Sequence, residues 1–247
     1  MMKKMTAARD YAVSAWSGGT TTQLAIFPPE AKYADRDFLW RVSSATVDLE
    51  ESDFTALPDY DRLIATLRGE IVLTHNGGAP LRLRPFEVHA FSGADATHSV
   101  GRCTDFNLML RRGRAAGTME ALRLTQTPIY LSVGVTETSP ACRGGGAPQR
   151  GAEEGYLPPE APTVPLETVL LYCAEGSCTA TVGTAETSPA CRGGGAPLRG
   201  AEEGCCPQPA AVSSVSLRAG ETLLLTAHAD LTLTGQAKLI LCRITVL

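Results

Sequence analysis

Apolar and polar side chains alternate with a period of two over most of the chain, and glycine, proline and asparagine break the alternation into short runs. The clearest stretch is LIATLRGEIVLTHNGGAPLRL, residues 63–83. Leu63 to Leu67 has the apolar, β-branched character of a buried strand, Gly69 permits a tight turn, and Ile71 to Thr74 resumes the strand. Asn76-Gly77-Gly78 tolerates the positive φ of a hairpin turn, so Leu81 and Leu83 can return with Arg82 and Arg84 between them. The pattern predicts a β-meander. Upstream, Trp40, Val42 and Ser44 alternate with Leu39, Arg41 and Ser43, as a half-buried strand requires. Arg41 in such a strand points to solvent or into a polar cavity, because an unpaired guanidinium in an apolar core is too costly. Downstream, Phe106, Leu108 and Leu110 alternate with Asp105, Asn107 and Met109, the signature of a barrel with a wet interior. Strand-like runs recur at residues 168–176, 212–217, 222–226, 231–234 and 238–246, so the chain reads as all-β.

Composition narrows this picture. With 247 residues, 44% hydrophobic and 19% charged, the chain has ample surface to bury a core. A formal charge of −4 with no basic stripe gives no electrostatic basis for binding nucleic acid or an anionic membrane. No run approaches the roughly 20 apolar residues of a membrane span, and the N-terminus lacks the apolar stretch of a signal peptide, so the expected compartment is the cytoplasm. Eight cysteines are then read as reduced thiols. Cys173 and Cys178 lack zinc-ribbon spacing, and Cys205-Cys206 could form only a strained vicinal bridge.

Trp16-Ser17-Gly18-Gly19-Thr20-Thr21-Thr22 has two readings: a polar loop that meets an anionic or carbonyl ligand through N–H and hydroxyl groups, or a glycine turn feeding an edge strand. With no lysine and no following helix it is not a P-loop.

WSGGTT, FLWRVSSATV, LPDYDRLIATLRGE, FSG and DFNLMLRRG, in this order, resemble the HutD/Ves family of cupin-like proteins over about residues 11–113. Ser17 stands where that family usually has an amide, and Asp59 where a glycine commonly precedes Tyr-Asp-Arg. The resemblance implies a bicupin, two β-barrel or jelly-roll-like halves in one chain, linked to histidine utilisation. It implies a regulatory role through a small ligand such as formimidoylglutamate. On this reading residues 1–115 form the first barrel, 116–165 a linker and 166–247 the second barrel.

The second half echoes the first, with residues 217–222 matching 83–88 and 168–176 matching 64–69, but the spacing differs. Gly69 to Leu83 is 14 residues and Gly176 to Leu217 is 41. The source is a repeat, ETSPACRGGGAPQRGAEEG at 137–155 and again at 186–204, differing only at Gln149 and Leu198. Rich in Pro, Gly, Ala and charge, it cannot bury enough apolar surface to offset its ordering entropy. We read both copies as low-complexity surface insertions, dispensable for folding.

Four histidines, His75, His89, His98 and His228, include no His-x-His pair, so neither a metal nor another cofactor is expected. The candidate ligand-binding residues are Trp16, Gly18, Gly19, Thr22, Arg41, Ser43, Asp61, Arg62, Asp105, Asn107 and Arg112. Arginine recognises carboxylates bidentately and Asn or Asp fixes an amide or formimino group, which suits a small anionic or zwitterionic ligand. Alternatively, Asp61–Arg62 and Asp105–Arg112 ion pairs seal the barrel mouth. An enzyme, an isomerase or hydrolase using Asp105 as acid or base, is the competing functional class; no catalytic residue is assigned from sequence. The partner expected is the small molecule, and a homodimer is left open.

Overall fold

The structure, a computed structural model, describes residues 1–134, 167–183, 213–226 and 229–247. Both repeat copies, Cys205, Cys206 and His228 lie outside the described residues. The chain begins with β1 (Met2–Met5), β2 (Ala12–Trp16), β3 (Gly19–Phe27), β4 (Trp40–Val47), β5 (Glu51–Asp53) and β6 (Tyr60–Arg68). It continues through β7 (Ile71–His75), β8 (Leu81–Leu83), β9 (Val88–Ser92), β10 (Thr97–Val100), β11 (Cys103–Arg111), β12 (Ala115–Leu124) and β13 (Ile129–Val133). The remaining strands are β14 (Glu167–Gly183), β15 (Ser213–Arg218), β16 (Thr222–Thr226) and β17 (Ala229–Val246). Among the described residues the one helical element is a single 3-10 turn, Tyr33–Asp35, and no helix is long and apolar enough to cross a membrane.

The strands form three sheets. A six-stranded sheet runs β2-β3-β4-β11-β6-β9 and a four-stranded sheet β5-β10-β7-β8. The seven-stranded sheet has β14 and β17 at its centre, flanked by β16, β12, β13 and β15. β1 adds to its edge, pairing Met2–Met5 with β16 although it precedes the six-stranded sheet in sequence.

The predicted meander breaks at its first turn. β6 pairs with β11 and β9, whereas β7 pairs with β8 and β10, so the turn at Gly69 carries the chain from one sheet to the other. Gly69 has φ +73°, and a Cβ there would run into the Arg102 carbonyl oxygen. The second turn is a hairpin as predicted, with Ile71 opposite Leu83. The predicted strands at 231–234 and 238–246 are one continuous strand, β17.

The alternation along β4, β6 and β11 sorts two environments. Trp40, Val42, Ala65, Leu67, Phe106, Leu108 and Leu110 pack against Met119, Leu170, Ile240, Cys242 and Ile244 of the seven-stranded sheet. On the opposite face Val47, Ile64 and Cys103 pack against Ile71, Leu73 and Leu83 of the four-stranded sheet. That inner face, farther along the same strands, carries the polar residues.

Two local structures occur twice. Gly69 and Gly176 have φ +73° and +76° and each abuts a backbone carbonyl across the sheet. Arg84 N–H donates to Glu87 Oε2 at 3.0 Å, and Arg218 N–H donates to Glu221 Oε2 at 2.7 Å, closing the same turn after Leu83 and Leu217, both buried. Cys103, Cys173, Cys178 and Cys242 are buried free thiols.

Candidate functional site

Strand register lays the inner polar side chains out in rows. Arg41, Met109 and Arg62 lie side by side on β4, β11 and β6; Ser43 lies beside Asn107; Ala45, Asp105 and Thr66 form a third row. These rows floor a cavity of about 310 Å³, walled by Ser14, Trp16, Thr21, Tyr33, Phe54 and Thr55.

Two cations, Arg41 and Arg62, and two acids, Asp105 and Asp53, line the cavity. Arg41 donates from Nε to Gln23 Oε1 at 2.9 Å and from Nη1 to Ser43 Oγ at 3.0 Å, and its guanidinium lies 4.3 Å from the Tyr33 ring centre. Arg62, 7% exposed, stacks over Phe54 and Phe91 at 5.0 and 5.1 Å. Among the described residues neither forms an ion pair within 4.0 Å, and burial depresses both pKa values, that of Arg62 to about 10. Asp105 Oδ1 accepts from Ala45 N–H at 3.1 Å. Burial pushes its carboxyl up to about 6, against the opposing pull of that hydrogen bond and of Arg62 and Arg41.

Four buried side-chain atoms have no hydrogen-bond partner among the described residues: Arg62 Nε, Asn107 Oδ1, Thr66 Oγ1 and Arg36 Nη1. Arg62 and Asn107 belong to the cavity lining. Buried polar atoms are normally paired, because desolvation without a partner costs about 1–3 kcal/mol each. A donor side chain and an acceptor side chain lining one cavity are complementary to a ligand carrying an acceptor oxygen and an N–H or O–H donor.

Of the sequence-predicted residues, Trp16, Arg41, Ser43, Arg62, Asp105 and Asn107 line this cavity. Gly18 and Gly19 shape the β2–β3 hairpin: a side chain at position 18 would collide with the Trp16 ring. Thr21 rather than Thr22 reaches the cavity, since Thr22 lies opposite Ser44 on the other face of the sheet. Asp61 and Arg112 are also displaced from it. They pair with each other at 2.8 Å, about half exposed, with Arg112 also donating to Ser92 Oγ at 2.9 Å. The anticipated Asp61–Arg62 and Asp105–Arg112 pairs do not form, because Asp61 and Arg62 are successive strand residues pointing to opposite faces. Sequence reasoning missed Tyr33, which sits in a 3-10 turn with no periodic signal, and Phe54 and Thr55, which follow a three-residue strand. Among the described residues no group of three or more His, Cys, Asp or Glu side chains could hold a metal ion.

The fold is all-β and cupin-like, and solved structures superpose on it over nearly their whole length. Bacterial pirin YhhW from Escherichia coli, solved with nickel(II), aligns over 100% of both chains with a TM-score of 0.55 at 9% identity. The sequence narrows the class: the HutD family profile matches residues 8–142, and the chain belongs to the HutD family. HutD from Pseudomonas fluorescens SBW25 aligns over 100% of both chains (TM-score 0.62, 18% identity). A conserved protein of unknown function from Pseudomonas aeruginosa PAO1 covers 99% of this chain and 98% of its own (TM-score 0.64, 19% identity). No curated protein matches the sequence.

Proposed function

We propose that this chain is a bicupin that binds a small anionic or zwitterionic molecule in its first barrel and acts as a ligand-responsive regulator in histidine utilisation. The six- and four-stranded sheets form the first barrel and the seven-stranded sheet the second, a division supported by the recurrence of the turn after Leu83 at Leu217 and of a positive-φ glycine against a carbonyl at Gly69 and Gly176. The observation that carries the ligand reading is the buried Arg62 guanidinium, without an ion-pair partner among the described residues, lining one cavity with Asn107, each of the two side chains holding a buried polar atom with no partner among those residues.

The chemistry follows from those atoms. A ligand carboxylate accepts from Arg62 and Arg41, charge-assisted bonds that offset the desolvation of both cations. A ligand N–H donates to Asn107 Oδ1 or to Asp105. Formimidoylglutamate carries carboxylates and a formimino N–H, and fits both requirements.

Asp105 favours a second reading. A buried carboxyl with its pKa near 6, in a cleft, suits a general acid or base, and the protein would then be an isomerase or hydrolase on the same barrel. Isothermal titration calorimetry with formimidoylglutamate, urocanate and glutamate, alongside chromatographic assay of each mixture, separates the two. Binding without turnover, lost in Arg62→Met, supports the regulator. Turnover abolished by Asp105→Asn establishes the enzyme, and absence of binding to all three rejects the ligand assignment.

A further inference from the structure

The cavity follows β4 through Arg41, Ser43, Ala45 and Val47, the residues of one face of that strand. Its charges are sorted along this path. Arg41 and Arg62 flank Met109 at one end. Asp105 lies four residues back along β11, about 13 Å of strand, in the row of Ala45. Only one of its oxygens, Oδ1, accepts a hydrogen bond from the described residues, and among them the carboxylate has no ion-pair partner. With its carboxyl at about 6, Asp105 is ionised at pH 7.5. The other acid of the lining, Asp53, has its side chain 85% exposed and bonded to His98 Nδ1 at 2.9 Å, so it is turned to solvent.

Beyond Asp105 the lining becomes apolar. Val47 follows Ala45, and Gly19 links it across the sheet to Trp16. A Cβ at Gly18 would fall on the Trp16 ring and on Leu49, so the indole is seated against a glycine, with Trp16 still 40% exposed at the rim.

Unpaired charges of opposite sign, set apart in one cavity, describe the ligand. A buried ion without a partner costs several kcal/mol, and an opposite charge on the ligand offsets this at each end. The arginines take a carboxylate. A second carboxylate at the other end would meet Asp105 as a like charge, whereas a cation is matched there. The neighbouring indole favours a flat, delocalised cation, which is less strongly hydrated than an ammonium and gains about 0.5–2 kcal/mol over a Trp face.

Building on the small-ligand reading above, we infer that the site selects a zwitterion whose cationic end is planar, an amidinium, guanidinium or imidazolium, held by Asp105 and Trp16 while its carboxylate meets Arg41 and Arg62. This fixes which way round the ligand lies. Trp16 supplies the aromatic surface for the cation, and Gly18 leaves the room that the ring needs.

Formimidoylglutamate and N-formylglutamate test this, because one carries a protonated amidine where the other carries a neutral amide. In calorimetry of the full chain at pH 7.5, wild type should bind the amidine at least about tenfold more tightly. Asp105→Asn should bring the two ligands within about threefold of each other, and Trp16→Leu should lower the preference at least about threefold. Gly18→Ala displaces the indole while leaving Asp105 and both arginines in place, and should match Trp16→Leu. Circular dichroism and melting temperature establish that each variant is folded. Should Gly18→Ala fail to fold, the other two variants still decide the matter. Equal affinity of wild type for both ligands overturns the inference, as does a preference that survives either Asp105→Asn or Trp16→Leu. Equal affinities that are both lost in Arg62→Met reject the planar cation and leave the ligand reading standing, whereas binding of neither ligand rejects both.

Discussion

Arg62→Met should make the protein more stable while removing its ligand binding. The guanidinium is 7% exposed, burial depresses its pKa to about 10, and it has no ion-pair partner among the described residues. A base whose folded pKa lies below its unfolded value is penalised while it stays charged, so at pH 7.5 the whole penalty applies. The shift corresponds to about 3 kcal/mol at 1.36 kcal/mol per unit. Methionine keeps much of the stem's apolar contact but loses the stacking over Phe54 and Phe91, worth about 0.5–1 kcal/mol each. The net gain is about 1–2 kcal/mol, or a rise of roughly 2–8 °C in melting temperature for a chain of this size. Urea denaturation at pH 7.5 measures it directly. A loss of more than about 2 kcal/mol would refute the reasoning, since it would show that the guanidinium supports the fold rather than waiting for a ligand.

Three further outcomes follow from the same geometry. Asp105 has a folded pKa of about 6 against an ordinary 3.8, so the folded state holds the extra proton between these values and stability from this group falls as pH rises from about 4 to 6. Asp105→Asn should therefore gain up to about 3 kcal/mol relative to wild type on going from pH 4 to pH 7.5; parallel stability profiles for the two proteins would reject this. Asp61→Ala should leave ligand affinity unchanged within about twofold in calorimetry, because its exposed pair with Arg112 is worth at most about 1 kcal/mol and lies outside the cavity. Gly69→Ala should cost about 2 kcal/mol or more in urea denaturation, from left-handed strain and collision with the Arg102 carbonyl oxygen, and a near-neutral result would contradict the sheet-switching role of that turn.

Much of the first half was legible because a period of two fixes the face of every residue once one is placed. Arg41, Ser43, Asp105 and Asn107 share a face with Arg62 by this rule, and the structure brings them together. The same rule excludes Asp61 and Thr22, which the sequence reading retained from polarity alone. Pairing was harder to read: the Gly69 turn looks like a hairpin from its residues, yet a glycine with positive φ serves equally well to pass the chain between sheets. Tyr33, Phe54 and Thr55 stand outside regular strands, where periodicity carries no information. In the seven-stranded sheet β14 and β17 run on through Gly176 and Gly235, glycines at which the sequence-predicted runs 168–176 and 231–234 stop.

The most direct test of the ligand site is a crystal structure of the protein soaked with formimidoylglutamate. A carboxylate should lie within about 3 Å of the Arg62 guanidinium and a ligand N–H at similar distance from the Asn107 side-chain amide. A ligand bound elsewhere, or a cavity filled only by water at saturating concentration, would contradict it.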